Sequence, residues 1–545
     1  MYMKRVKGYP LPLGISERGE YVNFSVVVSQ GERCILKLYK KGEAEAIEEL
    51  ELLENDSVGE VRFVALLKED VKNLEYMYEI DGALAVDPYA KSVSEYETET
   101  RAKVYMETYD WDGDNVLRIP EEENVAYSMH VRGFTKDSSS PAVEKGTFRA
   151  VIEMIPYLKE LGINQIQCMP VYAFQENYWG YGEAYWFAVK DLYAAVDSAE
   201  TELKDMIKAC HKAGIEVVLH MPFEGNLSKQ IMFECLRYYV VEYHVDGFVL
   251  NPYVIGIEEA AADPVLKGTK LLVCRDDFQN TMRQFLKGDE GQIEHVMWWL
   301  RQKGATNHSY NYVTKHQGFT LHDLVSYNEK HNVANGELNQ DGVDQNFSWN
   351  CGEEGPTKQK AIQELREKQI RNAFFLLLFA NGTPCMLAGD EFYNSQAGNN
   401  NVYCQDNAVA WLNWKQDEEG KKLQEYVKQL ITLRKKSIFL YRDLVNKDNL
   451  PVISYHGKEA WKAPSGVESR SLGVYYHDEK GELQDVYVAY NMLWYKQDFA
   501  LPELQGGKKW RLVMTTEDGI FEERMEAEMR VATVPGRTIA VFIGK

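Results

Sequence analysis

At 545 residues the chain is longer than one compact core accommodates, so two to four domains are expected. Its composition, 45% hydrophobic and 26% charged, is that of an ordinary soluble globular protein. A formal net charge of -22 argues against nucleic acid and anionic lipid as partners, but leaves a neutral polymer such as a sugar chain unaffected.

The eight cysteines, Cys34, Cys168, Cys210, Cys235, Cys274, Cys351, Cys385 and Cys404, are scattered without a C-x-x-C pair or a Cys/His cluster. That pattern speaks against a zinc site and against a disulfide framework. Residues 1–14 carry three basic side chains but no apolar centre, so no signal peptide is expected. The longest strongly apolar run, 373–380, is far too short to cross a bilayer, and a reduced, cytoplasmic compartment is the expectation.

In chain order, residues 1–118 read as β: alternating runs at 22–26 and 34–38 lie between glycines and polar turns, as in a small sandwich. From about 119 to 440 strand-like runs alternate with helical stretches. The strand candidates are 127–131, 163–171, 215–220, 247–250, 270–274, 310–314 and 384–387, with helices predicted at 147–161 and 202–213. This repetition predicts a (β/α)8-type TIM barrel, although seven strands are legible rather than eight. Residues 441–545 return to β, with runs at 474–476, 485–490 and 538–543 predicting a second sandwich.

Chemistry in such a barrel gathers at the C-terminal ends of its strands. There, residues 312–332 read YVTKHQGFTLHDLVSYNEKHN and residues 346–357 read NFSWNCGEEGPT. Residues 382–392 read GTPCMLAGDEF, residues 398–407 read GNNNVYCQDN, and upstream 177–181 read NYWGY. These ordered runs resemble signatures of the isoamylase and glycogen-debranching group of the α-amylase superfamily, glycoside hydrolase family 13. The resemblance extends over nearly the whole chain. Residues 9–92, ending in DPYAK at 87–91, resemble the family's N-terminal carbohydrate-binding sandwich (module family 48), and the last segment resembles its closing sandwich.

A retaining glycosidase needs a nucleophilic carboxylate and a second carboxyl group about 5 Å away. The resemblance adds a third carboxylate that holds the ring hydroxyls. All three positions depart from the family here. Residues 246–251 read DGFVLN, which places Asn251 at the nucleophile's position and Val249 where an orienting Arg is expected. Residues 270–274, KLLVC, place Cys274 at the acid's position, and Gln317 follows His316 where the third carboxylate belongs. An amide is a poor nucleophile and carries no charge to stabilise an oxocarbenium-like transition state.

The third-strand motif is also altered. Residues 220–225 read HMPFEG, so His220 replaces an Asp and Gly225 a ring-binding His. A long loop that walls the family's cleft and carries a barrel strand is missing, because FQNTMRQF at 278–285 follows Cys274 almost at once.

Tyr181, Trp179 and His316 match positions that line the family's sugar cleft, and either binding or packing would account for them. His220 reads as a hydrogen-bonded strand-end histidine, Cys274 as an apolar wall residue, and Trp298-Trp299 as helix core. Glu224, Asp276 and Asp277 read as solvated loop acids.

The expectation is a protein with no intact catalytic site, no metal and no cofactor. It would bind α-glucan (glycogen or maltooligosaccharide) or serve an active debranching or glycogen-metabolism enzyme as partner, as the family's inactive plant members do. The rival expectations are an active α-1,6-glucosidase with relocated acids and a structural or regulatory subunit without glucan binding.

Overall fold

A computed structural model describes residues 3–175, 178–301, 309–437, 452–477, 484–524 and 530–545. The N-terminal part forms two antiparallel sheets. One is built on Tyr21–Val27 between Gly14–Arg18 and Val61–Leu67; the other is built on Cys34–Lys40 and Leu74–Ile80. Val22 and Phe24 of the first and Leu36 and Tyr76 of the second meet in one buried cluster. The intervening Asn23 and Ser25 are buried too, and the backbone of Tyr9 and Pro10 satisfies their side chains at 2.7–3.0 Å.

Seven parallel strands follow: β1 (Ala126–Met129), β2 (Gln165–Cys168), β3 (Glu216–Met221), β4 (Gly247–Leu250), β5 (Lys270–Val273), β6 (Tyr310–Asn311) and β7 (Thr383–Leu387). Their order is β5-β4-β3-β2-β1-β7-β6, and a single parallel bridge from Val273 to Ser309 joins β5 to the start of β6, closing the ring. Among the described residues β5 therefore meets β6 directly, and seven strands make the barrel.

Alternation divides the side chains between two environments. Ala126, Val218, Val249, Leu272, Tyr310 and Cys385 pack together in one small cluster, while their neighbours Tyr127, Leu219, Phe248 and Leu271 join the large core beneath the helices. The strands' N-terminal ends are closed by a polar floor. Glu216, with no exposed surface, pairs with Lys270 and accepts hydrogen bonds from Gln165 Nε2 (2.9 Å) and Asn124 Nδ2 (3.1 Å).

The predicted helix at 147–161 is two helices, Phe148–Glu153 and Ile155–Leu161, parted at Met154; Pro156 opens the second and cannot donate a backbone hydrogen bond to the first. Two helices after β5 matter below: α1 (Asp276–Lys287) and α2 (Ile293–Arg301). Among the described residues no helix is long and apolar enough to cross a membrane.

The boundary expected at 440 and 441 lies outside the described residues. Beyond it a six-stranded antiparallel sheet follows, with Asp485–Asn491 paired to Thr538–Gly544. Val486, Val488 and Tyr490 on one face enter the barrel's core cluster. Tyr487 and Ala489 on the other pack with Phe499, Ala532 and Val534 of a two-stranded sheet.

Candidate functional site

A cavity of about 260 Å³ opens at the C-terminal ends of the barrel strands. Asn251, just beyond β4, Cys274, just beyond β5, and Gln317, in the segment after β6, all line it, together with His220, His316 and Tyr181. Residues far apart in sequence thus converge on one mouth, as the strand-end positions require.

Asn251 is exposed. Its Oδ1 accepts from the Tyr253 amide at 3.0 Å, which folds the side chain into its own turn. Cys274 is exposed at the rim instead of serving as an apolar wall. Its Sγ lies 2.9 Å from Tyr312 Oη and 3.9 Å from Lys315 Nζ. Gln317 is exposed. Phe223 is buried away from the opening and Tyr253 is 96% exposed, so neither plugs it.

The back wall is aromatic. The hairpin of Tyr172–Phe174 and Ala184–Val189 carries the loop that presents Tyr181, and Tyr172 Oη anchors that loop on the Gly180 carbonyl at 2.9 Å. Gly180 has φ +84°, and a Cβ there would lie 2.7 Å from the Phe174 ring, so the loop requires glycine. Tyr181 Oη meets His316 Nε2 at 2.8 Å with the rings nearly parallel. Trp179 is buried and stands edge-on to His316 at 5.1 Å, beside a separate cavity of about 50 Å³; it braces the histidine from behind.

His220 departs from expectation. It is buried, lines the mouth, and its Nε2 has no hydrogen-bond partner among the described residues. Burial pushes its pKa down to about 4. Burial, then the neighbouring His220 and Lys315 charges, holds His316 well below the ordinary range as well. Both rings are neutral at physiological pH and serve as hydrogen-bonding groups rather than charges.

Three residues that sequence reasoning passed over organise the rim. Tyr312 Oη donates to Asp276, and Lys315 Nζ reaches the same carboxylate at 2.6 Å. Half-burial works to raise the Asp276 carboxyl, but these two partners outweigh it and hold it below its usual value. Arg283 on α1 donates to the Val313 carbonyl at 2.7 Å and the Asn346 carbonyl at 3.0 Å, fixing the chain between Tyr312 and Lys315.

Among the described residues no Asp or Glu lines the mouth. Glu224 is exposed on the loop after β3, Asp276 is paired as described, and Asp277 lines a different groove between α1 and α2. Among the described residues no cluster of three or more His, Cys, Asp or Glu is placed to hold a metal ion.

A parallel ring with its cavity at the strand ends and antiparallel sheets before and after it in the chain defines a (β/α)-barrel protein. Residues 109–250 match the family model described as alpha amylase, catalytic domain. The chain is 30% identical to isoamylase 1, chloroplastic, of Oryza sativa subsp. japonica, over 93% of this chain and 82% of that one. It is also 30% identical to the glycogen operon protein GlgX homolog of Haemophilus influenzae, over 80% and 86%. The chain belongs to the isoamylase and GlgX-type glycogen-debranching family.

Among solved structures the fold is similar to pullulanase type I from Bacillus subtilis str. 168 complexed with maltose (TM-score 0.76, 19% identity, 98% of this chain and 86% of that one). It is likewise similar to the pullulanase SAP of Group B Streptococcus in complex with maltotetraose (TM-score 0.74, 17% identity, 98% and 88%).

Proposed function

We propose that this chain is a non-catalytic α-glucan-binding member of its family, holding glycogen or maltooligosaccharide at a barrel mouth that no longer hydrolyses it. The observation that carries this reading is that no carboxylate lines the mouth among the described residues. Asn251, Cys274 and Gln317 stand at the positions of nucleophile, acid and third carboxylate, and none of the three can supply the paired carboxyl chemistry of a retaining glycosidase. Loss of one proton-transfer group typically costs about 100- to 10,000-fold in rate, and loss of nucleophile and acid together removes the mechanism.

What remains suits a neutral, hydroxyl-rich ligand. Tyr181 offers a ring and a hydroxyl, and Asn251 and Gln317 offer exposed amides. On this reading residues 1–118 are a carbohydrate-binding module of family 48, 119–440 the degenerate barrel and 441–545 a closing sandwich, with an active glycogen-metabolism enzyme as a further partner.

The test is reducing-end release from glycogen and pullulan at high protein concentration, beside a variant carrying Asn251→Asp, Cys274→Glu and Gln317→Asp together. No release by the wild-type chain supports the reading; release well above the blank overturns it. Occupancy is read separately through Cys274. Maltohexaose should slow its alkylation while leaving that of the exposed Cys404 unchanged, and equal rates with and without sugar would remove the mouth as a binding site.

A further inference from the structure

Of the two tryptophans predicted as helix core, Trp299 packs against the core and Trp298 does not. Trp298 is 50% exposed, and Trp299 is half-buried behind it. The two indoles meet edge to face at 4.5 Å, and Trp299 in turn stands edge-on to the buried Phe278 of α1 at 5.4 Å. Trp298 therefore rests on a ring that is anchored in the core, so its exposed surface is held in place rather than free to turn.

These tryptophans line a groove of about 530 Å³ between α1 and α2. From α1 it receives Asp277, Asn280, Thr281 and Gln284, whose spacing puts them on one helical face along about 10 Å of axis. Gln292 crosses to Gln284, its Nε2 donating to Oε1 at 3.2 Å, and closes one end. Amides and a hydroxyl thus face an aromatic plate. His295 completes the lining; among the described residues Asp277 is its single carboxylate and no Lys or Arg contributes to it.

We infer that this groove is a second α-glucan site, distinct from the barrel mouth, with Trp298 as stacking platform and Asn280, Thr281 and Gln284 as hydroxyl partners. A pyranose ring presents a C–H face and an edge of hydroxyls. The groove offers an apolar plate and a row of neutral donors and acceptors, which is the complement of that shape. The near-neutral lining, on a chain whose formal charge is -22, suits a neutral polymer. α1 begins at Asp276, which is bonded to Tyr312 and Lys315 of the mouth, so mouth and groove are built on the same helix. The assignment of glucan as ligand rests on the reading of the mouth given above.

The experiment is glycogen affinity electrophoresis and maltohexaose titration of the full chain, comparing Trp298→Ala, the paired Asn280→Ala and Gln284→Ala variant, and Tyr181→Ala in the mouth. Trp298→Ala should weaken glycogen retention by about tenfold or more, as expected for truncating an anchoring tryptophan, with an unchanged circular dichroism spectrum. The paired amide variant should weaken retention in the same direction, and Tyr181→Ala should leave a residual binding phase that Trp298→Ala removes. Retention unchanged in both groove variants while Tyr181→Ala abolishes it would overturn the groove and leave the mouth standing. No retention of the wild-type chain would overturn both. Unchanged retention with a shift in size-exclusion mass on Trp298→Ala would reassign the groove to protein docking.

Discussion

His220 ends β3 inside the mouth with an unpartnered Nε2, and His130 and His456 are likewise buried with pKa values pushed down to about 4. In each the folded value lies below the ordinary histidine value of about 6.5, so unfolding takes up a proton between the two. The stability they contribute is complete above the unfolded value and is lost as pH falls through the folded one. The melting temperature should therefore drop as pH is lowered from 7 to 4. His220→Leu should flatten that drop by on the order of 3 kcal/mol at its acid end and cost little at pH 7, because no hydrogen bond to Nε2 is lost. Thermal denaturation across that range checks it, and an unchanged slope in the variant would mean that His220 is not held neutral. Such a state was not legible in the sequence: HMPFEG shows a histidine at a strand end, but whether a partner reaches its ring depends on side chains distant in sequence, such as His316.

At the scale of the elements, β3 and β5 are tied at the barrel floor by Glu216 and Lys270, whose side chains are 0% and 10% exposed. The sequence shows neither as special, since a charged residue opening a strand reads as a solvated end. Removing one partner leaves the other charge buried. Lys270→Met should thus destabilise the fold by about 3 kcal/mol or more, and adding Glu216→Gln should recover part of that loss. Denaturant titration of the single and double variants decides this, and a single variant as stable as the wild type would show the pair to be solvated.

The seven strands themselves were legible because each reads as a short apolar run between helical stretches. β6 came out shorter than its run at 310–314, since only Tyr310 and Asn311 find a ladder partner. Trp298 was misread because helical spacing identifies a face without saying whether another element covers it.

For the whole molecule, the meeting of β5 and β6 in a seven-stranded sheet sets the architecture of both candidate sites. The convergence of Asn251, Cys274 and Gln317 followed from strand-end logic and the quoted runs. The role of Tyr312, Lys315 and Asp276 did not, because it arises only where β5 and β6 are brought side by side. That contact is slight. Four registered pairs hold β4 to β5, whereas among the described residues β5 is joined to β6 through Val273 and Ser309 alone. The ring is a collar with one clasp, and the clasp sits directly beneath Cys274 and Tyr312. Amide protons along this edge should exchange with solvent ahead of those between β3 and β4, and uniform protection around the ring would contradict this. A sugar spanning from Asn251 to Tyr312 would bridge the clasp from above, so occupancy of the mouth would register as tightening of the barrel itself.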